Sequence, residues 1–320
     1  MNKTLKTLLI VGISLFLAGV TVFGISFAAA GGNFGAIDNR EVKMQTYTEN
    51  AENPVSSITI DFKSAGVTVS VEEDIQTLSV EYPVLVNKNG EPLTEIAIKE
   101  TSGGVTLVEN KFWKAYISAF NFTAPQAVLH LPKDRAYALD LFTDTGDITL
   151  QGEKLQAQAL SLETDTGDIK TSETEIICEK QFSIETDTGR IQLGKISCAS
   201  LSVESDTGRV SVTDGNVNGN AVFDVDTADL VFTGTFQAHA FKVTSDTGKI
   251  NALDGCISAQ YVHLETDTGD VSVTLFGTQT EYTVSAKTST GSSNILSGGN
   301  GERNLTVSTS TGDIRVDFKN

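Results

Sequence analysis

The chain has 320 residues, of which 39% are hydrophobic and 20% are charged, and its formal net charge is -18. This composition fits a folded protein of one or two domains, and abundant Thr, Ser and Val with only 5 prolines favours strands over helices. The negative charge argues against nucleic acid as a partner and leaves a cation, a basic protein or a polycation as candidates.

The N-terminus predicts a membrane anchor. Lys3 and Lys6 precede an uncharged apolar run over residues 8–27, which is long enough to cross a bilayer as a helix. By the positive-inside rule residues 1–7 stay in the cytoplasm, so we expect a single-pass protein of the cell membrane whose bulk is extracellular. A cleaved signal peptide is the alternative, because small residues follow the apolar run. Residues 1–30 are therefore predicted as cytoplasmic tip and transmembrane anchor, and the polar residues 31–56 as a linker.

Residues 57–110 contain two irregular copies of a strand pattern. In "ITIDFKSAGVTVSV" and "EIAIKETSGGVTLVE", apolar residues alternate on both sides of a Ser-Ala-Gly or Ser-Gly-Gly turn. A period of two is typical of a strand with one buried face. We expect these copies to be the first, degenerate coils of an extracytoplasmic fold over residues 57–320, with about eleven coils in total.

Residues 111–125 form an insert that is rich in aromatic side chains. An exposed aromatic cluster predicts an interaction patch for a partner or the membrane interface, and the alternative is a plug over an irregular part of the core. The candidate patch consists of Phe112, Trp113, Tyr116, Phe120 and Phe122.

Residues 126–320 contain a regular repeat. A marker residue, usually the Asp of "TDTG", recurs every 19 to 22 residues at Asp144, Asp165, Asp187, Asp206, Asp226, Asp246, Asp267, Ser289 and Ser310. Apolar residues alternate on both sides of each marker, and a repeat of about 21 residues is too short for a propeller blade. The pattern predicts an all-β fold, a single-stranded parallel β-solenoid (β-helix) of stacked coils.

The repeated turn is interpreted as structural. Nine copies are incompatible with the paired Asp-Thr-Gly carboxylates of an aspartic protease. Gly supplies a positive φ that other residues resist, and the aspartate can accept backbone N–H groups of its own turn. Basic residues interrupt the column three places later, which suggests charge balancing along a ladder. The predicted structural turn residues are Asp144, Gly146, Asp165, Gly167, Asp187, Gly189, Asp206, Gly208, Asp246, Gly248, Asp267 and Gly269.

Ala228 replaces the turn glycine in "DVDTADL", which predicts a locally different corner. Asp224, Asp226 and Asp229 surround it and are candidates for a calcium site, since hard oxygen ligands suit calcium. Structural turns are the preferred interpretation, so we predict no metal and no cofactor.

No catalytic residues can be assigned, and we predict that the protein is not an enzyme. His130, His239 and His263 occupy unrelated positions, and no nucleophile or phosphate-binding motif occurs. Cys178 and Cys198 lie about one repeat apart, so they are either a disulfide between neighbouring coils or two buried thiols.

The features "ITIDFKSAGVTVSV", "AVLHLPKD" and the reiterated "TDTGDI" turns resemble the bacterial putative-adhesin family of β-strand-repeat domains of unknown function, over roughly residues 55–318. The resemblance implies an architecture and an anchored envelope protein of a Gram-positive bacterium, but no catalytic residues. The expected function is an adhesion, binding or cell-envelope scaffold whose partner is an unknown protein or a cell-wall or host polymer. The alternatives are a component that senses or modulates envelope stress through a membrane partner and, third, a carbohydrate-active β-helix enzyme.

Overall fold

The computed structural model describes residue 16 and residues 19–29, 41–111 and 126–320. Residues 19–29 are helical, and a 3-10 turn covers Gln279–Glu281. The remaining elements are β1 Glu41–Thr48, β2 Ser57–Phe62, β3 Gly66–Glu72, β4 Ser79–Val86, β5 Glu95–Thr101, β6 Gly104–Lys111, β7 Gln126–Pro132, β8 Tyr137–Thr145, β9 Ile148–Gln151, β10 Lys154–Thr166, β11 Ile169–Lys170, β12 Glu175–Thr188, β13 Ile191–Thr207, β14 Val210–Val217, β15 Asn220–Thr227, β16 Leu230–Phe232, β17 Thr235–Thr247, β18 Ile250–Thr268, β19 Val271–Phe276, β20 Tyr282–Thr290, β21 Arg303–Thr311 and β22 Ile314–Lys319.

The strands wind into a parallel β-solenoid of about eight turns, which confirms the fold predicted from the repeat. The first face consists of the segments before each corner, and the second face of the segments after it. A third face consists of the segments that close each coil, such as the pairs Ile176–Ile196 and Phe236–Ile257. The number of turns is lower than the eleven expected: antiparallel strands β4 and β5 interrupt the N-terminal copies, and β20 is followed by a loop with one isolated bridge, Ser293–Ile314, instead of a second-face strand.

The alternating apolar residues of each coil point into one continuous core. Leu160 pairs with Phe182 and Leu162 with Ile184 in register, so side chains of the same column stack along the axis. These side chains are at most 2% exposed. Burial of one apolar column on each face provides the main stabilisation of every coil, and it requires neighbouring coils.

The chain order and the spatial order differ at the C-terminal end. β18 pairs with β21, and β21 pairs in turn with β20, so the last copy of the repeat lies between its two predecessors. The loop after β20 then covers the outer edge of that strand, where Val284 and Gly298 exchange backbone hydrogen bonds of 2.8 and 2.9 Å. A covered edge does not offer its N–H and C=O groups to another chain.

The N-terminal end is a mixed cap rather than two plain coils. β2 lies between β6 and β8, whereas β3 lies between β7 and β9. β4 pairs antiparallel with both β1 and β7, and β5 pairs antiparallel with β6. The predicted linker 31–56 therefore includes a strand of the fold, β1, whose eight residues all pair with β4.

Within the described residues, no helix has the length and hydropathy needed to cross a membrane. Residues 8–15 and 17–18 of the predicted anchor lie outside them.

Candidate functional site

Eight of the nine regular corners have a Thr or Ser directly before the marker, and all of these except Thr288 are buried; Val225 takes this place before Asp226. Thr164 Oγ1 donates to the carbonyl oxygen of Gly146 in the preceding coil at 3.0 Å, and Thr309 Oγ1 donates in the same way to Gly269 at 3.0 Å. This role was not predicted from the sequence, although the inward period of two continues from the apolar positions into this threonine. These two corners are therefore hydrogen-bonded to the neighbouring coil from inside the solenoid, whereas the Ser205 and Ser245 hydroxyls have no partner in the described chain.

The corner glycines are required by the close approach of stacked coils. A Cβ at Gly189 would lie 2.6 Å from the carbonyl carbon of Gly167 and closer still to its oxygen. Gly208 meets Gly189 in the same way and also has a φ of 144°, whereas the φ of Gly189 is not positive. The stacking distance, more than the φ angle, thus explains why the repeat keeps glycine here.

The acidic residues three places after the markers link neighbouring coils. Asp147 Oδ1 accepts the backbone N–H of Asp168 at 2.9 Å, and Asp168 Oδ1 accepts that of Arg190 at 2.9 Å. Lys170 Nζ lies 2.8 Å from Asp147 Oδ2 and 3.2 Å from Asp168 Oδ2. Burial opposes ionisation of Asp168, but the Arg190 N–H and Lys170 outweigh it and lower the pKa of this carboxyl. The same bond between carboxylate and N–H recurs in this column at Asp229, Asp270 and Asp313, and also outside it at Asp214.

The marker aspartates point outward instead. Among the described residues, they receive side-chain hydrogen bonds only where Lys63 Nζ lies 3.0 Å from Asp144 and where Ser310 Oγ lies 3.5 Å from Asp267. The expected bonds to N–H groups of their own turns are not formed. The exposed markers are Asp165, Asp187, Asp206, Asp226, Asp246 and Asp267.

A second column of carboxylates runs beside the markers on the first face. Glu163, Glu185, Glu204 and Asp224 are neighbours in register on four successive coils. Partial burial and then the adjacent carboxylates raise the pKa values of Glu163 and Glu185. We call the two columns the acidic face, which comprises Glu163, Glu185, Glu204, Asp224, Asp165, Asp187, Asp206 and Asp226.

The corner at Ala228 keeps the backbone pairing of its neighbours. Ala228 N donates to Thr247 O at 3.0 Å, and the Ala228 side chain is 6% exposed. Its φ is not positive, in contrast to the φ values of 144° at Gly208 and 157° at Gly248. The corner thus differs from these two in its backbone angle and buried methyl group, while the ladder remains continuous.

The calcium candidates are not brought together. Asp224 Oδ1 accepts from Thr244 Oγ1 at 2.6 Å, whereas Asp229 Oδ1 accepts the backbone N–H of Lys249 at 3.0 Å. Asp226 is exposed in the marker column. In residues 16, 19–29, 41–111 and 126–320, no group of three or more His, Cys, Asp or Glu side chains is placed to hold a metal ion.

The aromatic patch at Phe112, Trp113, Tyr116, Phe120 and Phe122 lies outside the described residues. Cys178 and Cys198 are opposite each other on neighbouring coils, and both are free, buried thiols. Burial, with a smaller effect of Cys178, raises the pKa of Cys198 to about 12, so this thiol is not activated as a nucleophile.

A histidine and carboxylate pair at the N-terminal end is the nearest approach to a catalytic arrangement. His130 Nδ1 lies 2.5 Å from Glu72 Oε1, and His130 Nε2 is buried without a hydrogen-bond partner among the described residues. A nucleophilic triad would require a hydroxyl or thiol bonded to that nitrogen. Within the described residues, the pair therefore does not form such a triad.

The stacked coils and the outward columns of like residues define a parallel β-solenoid with a repetitive surface. The chain belongs to the Toastrack DUF4097 family, whose profile matches residues 55–319. This confirms the family resemblance drawn from the repeats. A comparison with curated proteins found no match.

Solved structures with similarity to the chain carry different descriptions. A putative adhesin from Bacteroides fragilis is 14% identical, with 87% of this chain and 97% of that chain covered and a TM-score of 0.35. For a putative cell adhesion protein from Clostridium sporogenes the identity is 11%, the coverage 87% and 100%, and the TM-score 0.26. A putative lipid binding protein from Parabacteroides distasonis is 12% identical, with 85% of this chain and 96% of that chain covered and a TM-score of 0.38.

Proposed function

We propose that the protein is a membrane-anchored, extracytoplasmic scaffold that binds a cationic partner through its acidic face and performs no catalysis. The observation that carries this proposal is the register of the carboxylates. Glu163, Glu185 and Glu204 lie on successive coils, and the marker aspartates run beside them. A single rigid surface thus presents many negative charges at one spacing.

The charge repulsion within this face supports a binding role. Unit charges about 4.8 Å apart repel by about 1 kcal/mol per pair even in water. Hydrogen bonds and ion pairs offset the charges of Asp147 and Asp168, which lie three places after their markers. The marker aspartates between Asp165 and Asp246 have no such side-chain partner in the described chain. A partner with several basic groups would relieve this repulsion and would gain on-rate from the negative field.

Anchoring is the second part of the proposal. Residues 8–27 are uncharged and follow Lys3 and Lys6, which favours a cytoplasmic N-terminus and a solenoid outside the membrane. Protease treatment of intact Gram-positive cells should then remove a C-terminal epitope on the full chain, and an N-terminal epitope should stay in the membrane fraction. A C-terminal epitope that is protected until the cells are lysed would contradict this location.

Cross-linking of the full chain on intact cells, followed by identification of the captured partner, tests the binding proposal. Changing Asp165, Asp187, Asp206 and Asp226 to Asn should reduce capture of that partner at least ~10-fold, and capture by the unaltered chain should fall steeply with salt.

A matched control removes the same number of charges elsewhere. Asp74, Glu173, Glu179 and Asp254 are exposed acidic residues outside the acidic face, and their amide variants should capture as the unaltered chain does. Equal capture by both quadruple variants would overturn the role of the acidic face.

A further inference from the structure

A groove follows the third face of the solenoid across several coils. One cavity of about 440 Å³ is lined by residues that include Ser197, Asn216 and Gln237, and a second of about 350 Å³ by residues that include Gln237, Ser258 and Phe276. Gln237 and Thr235 line both cavities, so the two are continuous. We call Ser197, Asn216, Thr235, Gln237, Ser258 and Phe276 the amide groove.

The polar groups of the groove form a straight row. Ser197 pairs with Asn216, Asn216 with Gln237, and Gln237 with Ser258 on successive parallel strands. Coils stack about 4.8 Å apart, so this row spans about 14 Å along the axis. A ligand that satisfies all four groups must therefore be extended and must lie parallel to the axis.

The four side chains of the row are neutral and can both donate and accept hydrogen bonds. Beside them, Glu175, Asp214, Lys195 and Lys319 line the groove with charges of both signs. Asn216 and Gln237 are exposed, and their side-chain amides have no hydrogen-bond partner among the described residues. Each amide offers both donors and an acceptor, and each hydroxyl does the same. Asp214 lies at the margin, and its Oδ1 accepts the Thr235 N–H at 2.9 Å. The row therefore favours a ligand whose own groups both donate and accept, in contrast to the acidic face.

The floor of the groove is held rigidly by aromatic packing. A Cβ at Gly215 would lie 2.8 Å from Cζ of Phe236 and closer still to Cδ2 and Cε2, so this glycine admits one edge of the ring directly beneath the groove. Phe236 packs in turn against Phe223 and Phe241 at centroid distances of 5.8 and 5.2 Å. Polar groups on a rigid floor lose little conformational entropy when they bind.

An aromatic ring lies at the C-terminal end of the row. Phe276 is 45% exposed, and the Arg303 guanidinium carbon lies 5.5 Å from its ring centroid. Arg303 Nη1 also donates to the Phe276 carbonyl oxygen at 2.8 Å. An exposed ring held in this way provides an apolar platform beside a row of hydrogen-bonding groups.

We propose that the amide groove binds a linear, uncharged glycan that lies along the solenoid axis. Its hydroxyl or acetamido groups would exchange hydrogen bonds with Asn216 and Gln237, and the apolar side of one sugar ring would pack on Phe276. Hydroxyl groups that donate and accept match the amides, and a neutral chain avoids repulsion from the carboxylates elsewhere on the surface. The site is distinct from the acidic face, so failure of either proposal leaves the other intact.

Calorimetric titration of the full chain with soluble, linear, neutral oligosaccharides of glucose, mannose and N-acetylglucosamine tests the proposal. At least one should bind with a Kd below about 1 mM, and polygalacturonate, an anionic glycan, should bind more weakly. The double variant Asn216→Ala and Gln237→Ala should weaken binding at least ~10-fold, as should Phe276→Ala.

A matched double variant, Gln181→Ala and Asn220→Ala, removes two exposed amides outside the groove and should bind as the unaltered chain does. Thermal melting by circular dichroism verifies that each variant folds. No binding of any neutral oligosaccharide at millimolar concentration would overturn the proposal. Binding that survives both groove variants, or stronger binding of polygalacturonate, would also overturn it.

Discussion

Replacing Gly208 by Ala perturbs the contact on which the stacking of corners depends. The new Cβ would lie 2.7 Å from the carbonyl carbon of Gly189 and closer still to its oxygen, and both atoms belong to a backbone held by the ladder. Overpacking costs roughly 1–3 kcal/mol, and a side chain at a φ of 144° adds about 1–2 kcal/mol. We therefore expect a loss of about 2–5 kcal/mol, or roughly 10 °C in Tm.

Thermal and urea unfolding followed by circular dichroism measure this loss. Ala228→Gly is the matched control, because it removes one buried methyl group from the equivalent corner and should cost only about 1 kcal/mol. At Ala228 the corner accommodates a methyl group with a φ that is not positive, and Gly208→Ala would have to change its backbone in the same way. If Gly208→Ala unfolds within about 0.5 kcal/mol of the unaltered chain, the stacking argument is refuted.

Two further predictions concern buried polar groups. Thr164→Val leaves the Gly146 carbonyl without its 3.0 Å donor and should cost about 1–3 kcal/mol in urea unfolding. The control Ser245→Ala removes a buried hydroxyl without a partner and should be neutral or stabilising. Equal effects of the two variants would contradict the role of the corner hydroxyl. Arg135→Met should cost about 3–5 kcal/mol at pH 7, because Glu49 is buried and two of its ionic hydrogen bonds come from Arg135. Burial alone would raise the pKa of Glu49, but hydrogen bonds from Arg135 and two backbone N–H groups lower it, so this stability is present above about pH 4.5 and is lost as the pH falls through the lowered pKa. The difference between Arg135→Met and the unaltered chain should therefore shrink below about pH 4.5 in melting curves, and a constant difference would refute the assignment.

The period of two predicted the strands of the regular repeat because it reflects burial on one side of a strand. Leu160 and Leu162 point into the core, as the pattern indicates. The same period would have identified Thr164 as inward-facing, had the hydroxyl been weighed with the apolar positions. Local patterns therefore determine most of each coil.

Other features depend on long-range pairing and could not be predicted from local pattern. The turns at Ser289 and Ser310 look alike, so nothing in them indicates that β21 lies between β18 and β20. β1 has seven exposed residues, and its apolar alternation stops after Val42 and Met44, so it is a strand because it pairs with β4. The amide groove was also missed, because its row appears only when segments about 20 residues apart are aligned on the third face.

The central claim is that successive coils stack in register, since both the acidic face and the amide groove depend on it. Spin labels at Asp165→Cys and Asp267→Cys, with Cys178, Cys198 and Cys256 replaced by Ala, measure this directly by pulsed electron resonance. The markers lie five coils apart, so the predicted separation is about 24 Å with a narrow distribution. A broad distribution, or a distance above about 35 Å, would contradict a solenoid stacked at about 4.8 Å per coil.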